Sequence, residues 1–297
     1  MNHEHHIHSQ SATNIKNIKL ALFINFAFTI IELIGGFLAN SVAIISNAVH
    51  DLGDTVALSF SYFSERFASH KTSDENYTYG LNRLPLLSAF INSVILLVGS
   101  IFILYNTIPR LFTPESPKAN LMIIIAVVGV IANGLALYKL KANEGLNSKV
   151  MGLHLLEDVL GWVSVLIGGI VIKYFNLHII DPLLSIAITL YILFNVFKNL
   201  RSAFQLFMQK SPATIDSNEI LFKIKEDKNI ISIEDFHIWS LEGTQHVLSA
   251  HIKVKDSILP ADMIALKSRI RDEIKKYGDI HSTIEFEYES ENCDDHC

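Results

Sequence analysis

Long apolar runs fill the first two-thirds of the chain, and short alternating ones take over near residue 211. The long runs are each near 20 residues, the length a helix needs to cross a bilayer. They predict spans at about 18–38, 42–62, 84–108, 120–138, 150–172 and 183–199. A very short turn at Asn40-Ser41 separates the first two, and Asp181-Pro182 opens the sixth. Pro109, Pro114 and Pro117 break the chain between the third and fourth. Residues 64–82 and 139–149 are polar and read as loops.

Beyond Ser211 the period changes. Residues 212–228 read as a helix with Thr214 or Asp216 as N-cap, and 230–241 as a strand. After the turn Glu242-Gly243-Thr244, residues 245–255 alternate as a strand. An amphipathic helix is expected over 260–277, with Pro260 in its first turn and Gly278 past its end. Residues 281–288 give a third strand. The expected fold is an α-helical membrane protein, six transmembrane helices followed by a small α+β domain. Its parts are a polar tail (1–14) without regular structure, a transmembrane domain (15–205), the α+β domain (211–290) and a short tail (291–297).

Charge adds orientation. Lys16, Lys19, Arg66, Lys71, Arg83, Lys139, Lys141, Lys149, Lys198, Arg201 and Lys210 flank the spans on one side; Arg110, Lys118 and Lys173 flank them on the other. The positive-inside rule then puts both termini in the cytoplasm. A net charge of −6 speaks against nucleic acid as a partner. No cleavable leader is expected: the first residues lack a basic region, and the first apolar run is long.

The chemistry sits inside the membrane. His50 precedes Asp54 by four residues in the second span, and His154 precedes Asp158 by four in the fifth. On a helix, i and i+4 share a face. Two such helices face to face would aim two imidazoles and two carboxylates at one point, a tetrahedral nitrogen and oxygen set that zinc accepts. The plain alternative is an interhelical hydrogen-bonded pair that locks the bundle. Ionisable residues at mid-bilayer cost roughly 2.5–3.5 kcal/mol each, so two copies of one spacing favour the metal site. Asp51 and Glu157 lie about 100° round from these ligands and are expected to back them or face a cavity. Glu32 sits deep in the first span as a packing residue, a neighbour of the metal helices or a proton carrier, and Gly35-Gly36 allows close helix approach.

Other metal-ligating residues lie outside the spans. The first residues hold His3, His5, His6 and His8, and the loop at 64–82 holds His70 and Asp74 at i, i+4. The α+β domain carries His237, His246, His251 and His281. The last residues hold Cys293, His296 and Cys297, the only cysteines in the chain, so no disulfide framework supports the fold. In a reducing cytoplasm these thiols favour metal over a disulfide. A solvated surface or a packed histidine is the alternative at each place.

Six spans, a His-x-x-x-Asp in the second and fifth, and a terminal α+β domain resemble the cation diffusion facilitator family, over residues 15 to 290. Tyr79-Gly80 with Arg83, Asp235-Phe236-His237-Ile238-Trp239-Ser240 and Ala250-His251-Ile252 strengthen the likeness. The resemblance implies a homodimer, and a metallochaperone-like cytoplasmic domain that binds regulatory zinc. It implies export of a divalent metal ion from the cytoplasm across the cell (inner or plasma) membrane, in exchange for protons. It makes His50, Asp54, His154 and Asp158 the transport site of a zinc-type member, since manganese-type members usually have Asp in place of both histidines. It makes His237, His251 and His281 cytoplasmic zinc ligands. The chain departs from the common pattern at Asn47, Pro85 and Trp162, and has no His-rich loop at 139–149. The rival readings are an intramembrane metalloenzyme, for which no His-Glu-x-x-His is present, and a membrane metal sensor. The expectation is a transporter and not an enzyme, with the metal open among zinc, cadmium, cobalt, iron and nickel.

Overall fold

The computed structural model describes residues 4–68, 75, 77–140 and 146–291, with side chains described outside 4–18, 61, 64–68, 139–140 and 146–154. Six long helices come first: α1 (Glu4–Ala39), α2 (Val42–Ala68), α3 (Leu84–Phe112), α4 (Ala119–Leu140), α5 (Leu146–Phe175) and α6 (Ile180–Phe207). Then come α7 (Ser217–Lys225), β1 (Ile230–Ser240), β2 (His246–Val254), α8 (Pro260–Lys275) and β3 (Ile280–Tyr288). The chain divides into two compact units. One holds α1 and α2 with residues 87–200; the other joins residues 79–86 to the part beyond residue 200.

In the first unit, stretches of α1, α3, α4, α5 and α6 are long and apolar enough to cross a membrane. α2 is as long, at 27 residues, but His50, Asp51 and Asp54 lower its hydropathy. Large apolar side chains such as Phe23, Phe37 and Phe194 point outward, as lipid-facing residues do. Two expectations need correction. The polar N-terminal segment is helical from Glu4, because no proline or glycine interrupts the run into the span. α3 continues past Pro109 to Phe112, since near a helix end the missing N–H removes only one bond.

Small residues set the helix contacts. A methyl group on Gly35 would lie 2.7 Å from Ile125 of α4, and one on Gly36 would lie 2.7 Å from Ile45 of α2. Trp162 of α5 is fully buried, edge-on to Phe28 of α1 at 5.9 Å, and lies against Gly129 of α4. The turn between α1 and α2 needs a left-handed residue, and Asn40 supplies it at φ 53°. Asp181 of α6 closes the start of α2, accepting from Ser41 Oγ at 2.5 Å and Val42 N at 2.8 Å.

The second unit is a three-stranded sheet with strand order β1-β2-β3. β1 and β2 pair antiparallel, and β2 and β3 pair parallel through the α8 crossover. α7 and α8 supply Ile220, Ile224, Leu266, Ile270 and Ile274 to a core shared with Leu248, Ala250, Ile252 and Val254 of β2. Asp216 caps α7, accepting from Asn218 N and Glu219 N, and α8 starts on Pro260. The first strand runs unbroken as expected, but its pairing is not regular. Its register slips between Glu234 and His237, where Asp235 takes φ 50°, a β-bulge.

Candidate metal centre

α2 and α5 meet through a close approach. A methyl group on Gly161 would lie 3.1 Å from the Asn47 side-chain oxygen, so glycine lets the helices come this near without displacing Asn47. That contact brings Asp158 to the face of α2 that carries His50 and Asp54. His50 Nε2 lies 3.9 Å from Asp54 Oδ2 and 3.7 Å from Asp158 Oδ1. Among the described residues, these three make the only group of three or more such side chains whose ligand atoms all fall within 4.8 Å of one another. A zinc ion with ligands at 2.0–2.1 Å holds neighbouring donors about 3.3–3.4 Å apart in a tetrahedron. His50 Nε2 would need to close on the Asp158 oxygen by about 0.3–0.4 Å and on the Asp54 oxygen by about 0.5–0.6 Å to reach that spacing. His154 lies one turn before Asp158 on α5, and its side chain falls outside the described residues.

A cavity of about 560 Å³ reaches this group, with Asn47 and His50 of α2, Glu157, Asp158 and Gly161 of α5, and Tyr191 of α6 in its wall. Glu157 therefore faces the cavity. Asp51 is buried beside Glu32 of α1. Trp162 packs away from the ligands, and Gly129 makes room for its ring.

In the second unit, the bulge at Asp235 turns its carboxylate toward two histidines. His237 Nε2 lies 2.6 Å from Asp235 Oδ1, and His251 Nε2 lies 4.0 Å from Asp235 Oδ2. β3 brings two more carboxylates, with His251 Nδ1 at 2.7 Å from Glu287 and Nε2 at 4.0 Å from Glu285. The hydrogen bond to Glu287 holds His251 above the ordinary imidazole range, helped by the charges of Glu285 and Asp235. Sequence reasoning named the histidines here and missed the three acids. Alternation put Glu285 and Glu287 on one face of β3, but only the parallel register aligns that face with His251.

The other histidines separate. His281 is exposed at the start of β3, its ring edge-on to Tyr79 at 5.8 Å. His281 and Glu285, the register neighbour of His251, are four residues apart on β3, about 13 Å. The structure thus does not bring His281 to His237 and His251. His246 is buried and bonded to Ser240 at 2.7 Å, a packed histidine. The remaining candidates, His70 and Asp74 of the loop and Cys293, His296 and Cys297 of the tail, lie outside the described residues.

Comparison with known proteins decides the family. Residues 18–208 match the model of the cation efflux transmembrane domain, and residues 212–289 match that of the cation efflux protein cytoplasmic domain.

The chain belongs to the cation efflux family.

It is 30% identical to the cadmium, cobalt and zinc/H(+)-K(+) antiporter of Bacillus subtilis, over 97% of this chain and 94% of that one. It is 33% identical to the zinc transporter ZitB of Yersinia pseudotuberculosis, over 93% and 89%. It is 30% identical to the metal cation efflux system protein CzcD of Cupriavidus metallidurans, over 95% and 89%. As a cation efflux protein the chain is a multi-pass membrane transporter and not an enzyme. Its second unit is the cytoplasmic domain of the family.

Proposed function

We propose that this cation efflux protein exports divalent metal, zinc by preference, in exchange for protons, through alternating access around His50, Asp54, His154 and Asp158. The observation that carries the reading is the convergence of His50, Asp54 and Asp158 within 4.8 Å on two helices, with His50 and Asp158 in the wall of a cavity. Imidazole with carboxylate suits zinc, and a set made only of oxygens would suit manganese better. The relatives support the same choice, since two are named for zinc and one of these also for cadmium and cobalt. Protons follow from the ligands themselves. Imidazole and carboxylate bind metal only when deprotonated, so loading displaces protons and returning protons expel the ion. The Bacillus relative is named for H(+) and K(+) exchange.

The protein would work as a homodimer in the cell membrane with both termini in the cytoplasm, an orientation that the distribution of basic residues supports. Its cytoplasmic domain would bind regulatory zinc at His237 and His251, joined by Asp235 and Glu287. His281 would serve only as a ligand shared with another chain. Cys293, His296 and Cys297, and His70 with Asp74, would be weaker capture sites for incoming metal.

The test is zinc flux into proteoliposomes with a trapped fluorescent reporter and an imposed pH gradient, wild type beside Asp158→Ala. Flux that follows the gradient and is lost in the variant supports both the exchange and the site. Flux of cadmium or cobalt without zinc would correct the metal. No flux of any divalent ion, with zinc still bound, would make the protein a sensor.

A further inference from the structure

Glu32 of α1 has no part in the ligand group, yet it is an ionisable residue buried among apolar and acidic neighbours. It is fully buried, and among the described residues no donor reaches either carboxyl oxygen, while the Asp51 carboxylate lies within hydrogen-bonding reach. Hydrogen-bond donors of α1 and α2 are committed to other acceptors. Asn25 Nδ2 donates to Asp51 O and Thr55 Oγ1, Thr29 donates to Asn25 O, and Thr55 donates to Asp51 O. The ionisable groups that face Glu32 are acidic: Asp51 of α2 lies beside it, with Asp158 of α5 and Asp54 of α2 beyond. His50 adjoins Asp51 in the chain, and the described side chains of α4, which also packs on α1, carry no charge. A bare carboxylate in such a place, beside a second one, has nothing to offset its desolvation. The neutral acid can donate its O–H to Asp51, and the pair then carries one negative charge instead of two.

We propose that Glu32 is a proton-carrying residue of the exchange cycle. It holds a proton against Asp51 while the metal ligands are empty, and releases it when the divalent ion loads. Two positive charges arriving at the ligands turn the acidic surroundings in favour of the Glu32 carboxylate. The step is a heterolytic O–H dissociation: the electron pair stays on the carboxylate, the proton goes to solvent, and no redox partner is needed. The exchanged proton then has a place that no metal ligand must vacate. This inference rests on the proton-exchange reading above.

The experiment uses the full-length protein in detergent with weak buffer and a pH indicator, titrated with zinc, wild type beside Glu32→Gln. Infrared difference spectra are taken on the same samples. The expected result is that wild type shows the carbonyl stretch of a protonated carboxyl group, and that this band is lost on zinc binding. Glu32→Gln lacks the band and releases one proton fewer per zinc, with zinc affinity within about threefold of wild type. Should Glu32→Gln fail to fold, wild type labelled with carbon-13 glutamate must shift the band. A band unmoved by the label or the substitution, or an unchanged proton count in Glu32→Gln, overturns the proposal and leaves the exchange intact. Wild type that binds zinc and releases no protons overturns both.

Discussion

Asp181 offers the sharpest test of how α2 is held. Its carboxylate is 2% exposed and accepts from Ser41 Oγ at 2.5 Å, Val42 N at 2.8 Å and, more weakly, Ala43 N at 3.4 Å. The first N–H groups of any helix lack intrahelical acceptors, so α6 supplies the N-cap that α2 needs. The positive end of the α2 dipole favours a negative charge there. Asp181→Ala removes two charge-assisted bonds of about 1.5–3 kcal/mol each and strands a buried N–H. The expected loss is about 3–5 kcal/mol. Asp181→Asn keeps an acceptor and loses the charge, so about half that loss is expected. His50 lies eight residues into α2, about 12 Å from Val42, so zinc affinity should change by less than about threefold. Unfolding in mixed detergent micelles gives the stability, and calorimetry gives the zinc affinity. The reasoning fails if Asp181→Ala lies within about 1 kcal/mol of wild type. It also fails if Asp181→Ala and Ser41→Ala are additive, because groups joined by a bond this short must couple.

Further tests follow from the packing and the cytoplasmic domain. Gly129→Ala would set a methyl group 2.2 Å from the Trp162 ring, so a loss of about 1–3 kcal/mol is expected, and Trp162→Leu in the same chain should recover most of it. In zinc-free protein, the imidazole of His251 should titrate above the ordinary value near 6.5 by NMR and fall back in Glu287→Gln. Because the folded value is the higher one, the stability this bond contributes is complete below about pH 6.5 and is lost as pH rises through the folded value. Zinc binding at His251 should strengthen over the same rise, since the metal needs the neutral ring. His281→Ala should leave zinc binding by the isolated protomer unchanged, which calorimetry on a monomeric variant would check.

The six helices were legible because bilayer length and apolar runs are coarse signals, and the approach of His50, Asp54 and Asp158 was legible because helical period is fixed. The strands of the cytoplasmic domain were found within a residue or two, for the same reason of period. What escaped was whatever depends on contact between distant segments. The slip at Asp235 leaves no mark in the alternation of 230–241, because Asp is tolerated both in a strand and in a left-handed bulge. His281 looked equivalent to His251, since each is a histidine on a strand. Only the register of β2 on β3, and Tyr79 from a distant loop, separate them. The cap by Asp181 was equally silent, because its acceptors and donors lie about 140 residues apart.

The contact of Gly36 with Ile45 has a mechanical side. α2 is pressed against α1 three residues on from its start, where the Ile45 side chain rests directly on Gly36. Sliding is opposed there and tilting is not, so the contact behaves as a fulcrum near one end of a long rod. His50 lies about 7.5 Å from it, and Ala68, at the far end, about 35 Å. A tilt of about 10° would move His50 by roughly 1.3 Å, enough to break a ligand set, and would move the far end by roughly 6 Å, enough to admit water. One such rotation would serve as a fine adjustment at the ligand group and a wide gate at the surface.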